Sequence, residues 1–79
     1  MQIDDARVDD AKIDDAVLAL LLLTLHDGCR AWKGFDWGTL DRLHQQDMIE
    51  NPANKNKSVV FTAEGLQRSK ALFEKLFYK

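Results

Sequence analysis

The chain is 79 residues long and has little of several things. It holds one cysteine, so no disulfide can close within it, and it reads as a reduced, cytoplasmic protein. One proline and four glycines exclude a collagen-like or low-complexity chain. Neither sign of charge dominates: eleven Lys and Arg meet thirteen Asp and Glu, for a net charge of −2. A chain with no positive excess is not an indiscriminate polyanion binder. The longest apolar run, Ala16–Leu23, falls far below the roughly 20 residues that span a bilayer, so no membrane partner is expected. The acidic N-terminus lacks the basic start of a signal peptide. What is present is a 46% apolar composition, ordinary for one globular domain and too apolar for a disordered chain.

The charge is unevenly placed. Residues 1–15 carry Asp4, Asp5, Asp9, Asp10, Asp14 and Asp15 against Arg7 and Lys12, a net of −4. The remaining residues therefore carry a net of +2. The acidic stretch repeats a five-residue unit: a β-branched residue, two Asp, Ala and a base, starting at Ile3, Val8 and, without its final base, Ile13. A five-residue step turns about 140° around a helix, so the repeat builds no apolar stripe. It also lacks the glycine turn and converging ligands of a calcium loop. Residues 1–12 are read as a solvated acidic extension and residues 13–79 as a single domain. Asp14 or Asp15 is expected to cap the first helix.

Ile13 to His26 is expected to be that helix, stopped by Asp27-Gly28. Between residues 16 and 25 Thr24 is the only polar side chain, so the helix is apolar almost all round and must be covered on most sides. A chain this short has little with which to cover it. That argues for a homodimer, with Leu18, Leu22 and Leu25 of this helix and Leu72 and Leu76 of the last helix as its interface.

The next segment, Cys29–Gly38, interleaves Trp32, Phe35 and Trp37 with Arg30 and Lys33. Such a mixture can stack single-stranded bases. It is read first as aromatics turned inward beneath a loop. No base-positioned nucleophile surrounds Cys29, and the His26-Asp27 pair lacks the further ligands of a metal dyad. His26 is read as a helix-end histidine. No catalytic residue, cofactor or small-molecule substrate is indicated, and the chain is not expected to be an enzyme.

Asp36 or Thr39 can cap a helix reaching Gln46, with Trp37, Leu40, Leu43 and His44 inward and Gly38, Thr39, Arg42, Gln45 and Gln46 outward. Asn51–Lys57 reads as a loop, Ser58–Phe61 as a strand, and Thr62 as the cap of a last helix, Ala63–Tyr78. That helix carries a wide stripe of Leu66, Leu72, Phe73, Leu76 and Phe77. The expected fold is α+β and mostly helical, with three main helices and a short two-stranded β-hairpin wing.

The run Leu40–Ile49, the polar loop, and Val59-Val60-Phe61-Thr62-Ala63-Glu64-Gly65 resemble the second half of bacterial winged helix-turn-helix domains. The resemblance covers about residues 37–79. It implies a recognition helix in the major groove of double-stranded DNA, with Arg42 reading guanine and Gln45 or Gln46 reading adenine. Lys55 and Lys57 on the wing, with Arg30 and Lys33, would then contact phosphates. Asp47 stands where those domains carry glycine, and only Gly28–Phe35 is available for the helix that precedes the recognition helix. The alternative is a non-catalytic interaction or dimerisation module that keeps the fold without reading DNA. Lys12–Leu21 and Ala31–Trp37 also make the whole chain resemble a small bacterial family known only as a domain of unknown function.

Overall fold

The computed structural model describes residues 5–79. The first residues of the acidic repeat, up to Asp4, lie outside the described residues. A 3-10 turn at Asp5–Arg7 leads into helix α1, Asp10–Leu21. Strand β1, Arg30–Trp32, helix α2, Trp37–Gln45, strand β2, Ser58–Val60, and helix α3, Ala63–Phe77, follow. The expected class is the one observed: mostly helical α+β, three main helices and a two-stranded antiparallel sheet.

Helix α1 starts three residues before Ile13 because Asp9, in extended backbone, caps it. Its carboxylate accepts the Lys12 N–H at 3.2 Å. The expectation that Asp14 or Asp15 is the cap is thus corrected: both lie inside the helix. The helix also ends sooner than His26. After Leu21 the backbone tightens to a 3-10 turn, Leu22–Thr24, and the Leu22 N–H bonds the Ala19 carbonyl. The Leu18 carbonyl takes the hydroxyl of Ser69 from α3 at 2.6 Å.

Asp27-Gly28 is not a helix stop but a hairpin turn. Both residues adopt left-handed backbone, with φ of 51° and 79°. The turn brings Arg30 against His26, with N–H to carbonyl bonds of 2.8 and 2.9 Å in the two directions. Strand β1 therefore replaces the compressed helix foreseen before the recognition helix. It pairs with β2 in the register Arg30↔Val60, Ala31↔Val59, Trp32↔Ser58. Thr24, the lone polar residue of the apolar run, accepts the Trp32 N–H at 3.0 Å. On the far edge of β2, the Glu50 N–H reaches the Val60 carbonyl at 2.8 Å and Ile49 bridges Phe61. Pro52 follows, with no N–H to extend that pairing.

Asp36 caps α2, its carboxylate accepting the Thr39 N–H at 3.0 Å. At the other end Asp47 takes φ 61°, the Asp47 N–H bonds the His44 carbonyl, and the Met48 N–H bonds the Leu43 carbonyl. This is a Schellman closure, and it puts Asp47 at the left-handed position where glycine is usual. Thr62 caps α3 through the Gly65 N–H at 2.9 Å and donates its own hydroxyl to the Asp47 carbonyl.

The core gathers Val17, Leu18, Ala19 and Leu21 of α1 with Ala31, Leu40, Leu43, Met48, Ile49, Val59, Phe61 and Leu72. Gly65, Ser69 and Leu72, at helical spacing, are the buried face of α3. The chain covers most of α1 by itself. Leu18 and Leu72 are 1% and 8% exposed, so these two expected interface residues belong to the protomer's own interior.

Gly65 marks the tightest approach. A Cβ there would overlap the Met48 carbonyl group, which is backbone and cannot swing aside. Gly65→Ala is therefore expected to cost about 1–3 kcal/mol, despite alanine's better helix propensity. Urea unfolding measures it, and a stabilised variant would contradict this packing.

Candidate functional site

Three surfaces carry the side chains singled out by the sequence. The first is the junction of α1 and α2. Asp14 is buried at 4% exposure, on the stripe it shares with Leu18 and Leu21. Arg42 reaches it from α2: Nε lies 2.8 and 3.1 Å from the two carboxylate oxygens, and one terminal nitrogen lies 2.8 Å from Oδ1. Gln46 adds its amide at 3.1 Å. Arg42 also donates to the Thr39 hydroxyl at 3.1 Å. The bond to Asp14 pushes the Arg42 pKa up, partly offset by desolvation and helped by the charges of Asp14, Asp10 and Asp36.

This junction changes which side of α2 faces solvent. Thr39, expected outward, is 1% exposed, and Trp37, expected inward, is 58% exposed. The exposed residues of α2 are Trp37, Gly38, Asp41 and Gln45. Gln45 bonds Asp41 at 3.0 Å. That face has one acid and no base. Arg42 and Gln46, assigned by resemblance to base reading, are instead partners of an internal carboxylate.

The second surface is the sheet with its adjoining loop. The expectation that the aromatics turn inward holds for Phe35, which packs on the core. It is corrected for Trp32, 52% exposed, and Trp37. Period-two alternation explains Trp32: Ala31 is buried, so its neighbour must face away. The Trp32 ring stacks on His26 with centroids 4.4 Å apart. His26 lies beyond the end of α1 and is held by a 2.8 Å contact from Nδ1 to the Thr24 carbonyl. Lys33 donates to the carbonyls of Pro52 and Asn54 and to the Asn54 side chain, at 2.8, 3.0 and 3.2 Å. Its ammonium also sits 5.4 Å from the Trp37 ring centre. Arg30 contacts the Ser58 hydroxyl at 3.5 Å. Lys55 and Lys57 are exposed on the loop.

The third surface is the end of α3 against the start of α1. Leu76, Phe77 and Tyr78 are 46%, 45% and 67% exposed. Phe73 lies beneath them, 5.3 Å from the Phe77 ring and edge-on to Tyr78. A groove of about 450 Å³ runs here, lined by Lys12, Asp15, Ala16, Lys75, Leu76 and Phe77. Of the five expected interface leucines, Leu76 lies on this groove. Leu22 is half-buried, and Leu25, 36% exposed, lies just beyond the 3-10 turn.

Among the described residues no three His, Cys, Asp or Glu side chains converge as a metal site. Cys29 is half-buried, and its backbone carbonyl accepts the Phe61 N–H. No helix among these residues is long and apolar enough to cross a membrane.

Fold and surfaces together define a small, mostly helical α+β domain. The chain belongs to the family described as "Domain of unknown function (DUF6429)", whose model matches residues 9–79. It is 63% identical over 77 residues to "Uncharacterized protein y4hR" of Sinorhizobium fredii (strain NBRC 101917 / NGR234), covering 98% of this chain and 97% of that protein. No solved structure matches the chain.

The Asp14–Arg42 pair yields a stability prediction. Asp14→Ala and Arg42→Ala should each lower the melting temperature, by on the order of 5 °C. The double variant should lose clearly less than the two losses added, because the partners act as one unit. Additive losses in a thermal double-mutant cycle would show that the two groups are not coupled.

Proposed function

We propose that this chain is a non-catalytic interaction module that pairs with a second copy of itself through the α1–α3 groove. The observation that carries the reading is the run Leu76-Phe77-Tyr78, three consecutive large apolar residues exposed beside a groove. Isolated exposed apolar residues are ordinary, but a contiguous patch rimmed by polar groups marks a contact surface. The groove wall carries Lys12 and Lys75 with Asp15, both signs of charge together. A two-fold contact sets the same patch against itself, so a patch of mixed sign can complement its own copy.

Reading of double-stranded DNA is less well supported. A recognition helix needs donors and cations on its free face. Here that face shows Asp41 and no base, while Arg42 and Gln46 are held by Asp14.

The test is the mass in solution by light scattering at micromolar concentration. The unmodified chain should give the mass of two copies. Leu76→Glu/Phe77→Glu, placed at the helix end where both side chains are exposed, should keep its helical spectrum. It should weaken pairing at least about 30-fold, as losing a hot spot of about 2 kcal/mol does. A single-chain mass for the unmodified protein would overturn the proposal.

A further inference from the structure

The sheet surface carries a second site, sharing no residue with the groove and independent of the pairing proposed above. Its two segments, 28–35 and 51–60, hold Arg30, Lys33, Lys55 and Lys57 and not one acid. The fold lays them side by side. Trp32 pairs with Ser58, and the Lys33 N–H bonds the Lys57 carbonyl at 3.0 Å. Arg30 lies on the same strand as Trp32, Lys33 follows it directly, Lys57 precedes its partner Ser58, and Lys55 lies on the adjoining loop. Asp27, Asp36 and Glu50 border the area, and Asp36 is already committed to capping α2.

Trp32 is held in place rather than merely exposed. His26 covers one face of Trp32, and still 52% of the residue meets solvent, so the other face of the ring is open. His26 is fixed by the Thr24 carbonyl, and the Trp32 backbone by the Thr24 hydroxyl. On the other side, Lys33 is anchored in three loop oxygens and leans over Trp37. Lys33 thereby ties the loop to Trp37. Lys55 and Lys57, by contrast, make no side-chain hydrogen bond or ion pair among the described residues and are free to meet anions.

We infer that this face binds single-stranded nucleic acid: a base stacks on Trp32, and Lys55, Lys57 and Arg30 meet the phosphates. An open indole beside unpaired cations matches a strand whose bases can be splayed out. In a duplex the base faces are already stacked on one another and unavailable. An acidic peptide would satisfy the lysines but leave the open face of Trp32 without a partner.

The experiment titrates the full chain with an oligothymidylate of about twelve nucleotides at about 50 mM salt, read by tryptophan quenching and by anisotropy of a labelled strand. The expected result is saturable quenching, with affinity that falls as salt rises. Trp32→Ala should weaken binding about tenfold or more, leaving the salt slope unchanged. Lys55→Ala/Lys57→Ala, on an exposed loop where folding is not at stake, should flatten the slope of log affinity against log salt by about 1.4, roughly 0.7 per lost phosphate contact. No binding by the unmodified chain would overturn the inference. So would equal or tighter binding of the matched duplex, equal binding of a poly-aspartate peptide, or indifference to both variants.

Discussion

The arrangement turns on one buried carboxylate. Asp14 sits on the inner stripe of α1, nearly out of reach of water. An isolated charge in such a place is costly, and what makes it tolerable is a set of donors that match its oxygens. Arg42 supplies two nitrogens and Gln46 a third. Both come from one side of α2, so satisfying Asp14 fixes how α2 rolls against α1. The roll buries Thr39 and turns Trp37, Asp41 and Gln45 outward. A helix whose pattern resembles a DNA reader thereby commits Arg42 and Gln46 to an internal carboxylate.

Much of this was legible before any coordinates. The three helices, the strand at Ser58, the capping roles of Asp36 and Thr62 and the left-handed Asp47 all follow from local rules. Local bonding decides each of them: a side-chain oxygen three residues ahead of an orphan N–H, or a residue that tolerates positive φ. The role of Asp14 does not follow from such rules. The five-residue repeat disguises it as one more solvated acid. The signal was present in the spacing, because residues 14, 18 and 21 share a helix face and two of them are leucine. A buried acid then demands a base from elsewhere, but no local rule says which of the nine bases beyond residue 15 answers.

Strand β1 was missed for a different reason. Asp27-Gly28 serves equally well as a helix stop or as a hairpin turn, and the preceding apolar run favoured the first. The choice between them is made at a distance. Val59 needs a neighbour, and Ala31 is small enough to lie against it in full burial. Once that pairing exists, strand alternation sends Trp32 outward. A two-stranded sheet in so short a chain has nothing left to cover its outer side. Composition could count the tryptophans, but only the register says which way each one points.

Net charge is a poor guide to what such a chain can meet, because its three surfaces differ in sign. The free face of α2 is faintly acidic, the groove between α1 and α3 is mixed, and the sheet face is basic. Six of the thirteen acids lie in the first fifteen residues, and three of these, Asp10, Asp14 and Asp15, already pair with Arg42 or Arg68. At physiological salt an exposed charge is screened beyond roughly 8 Å. Each surface is therefore governed by the charges near it rather than by the sum over the chain.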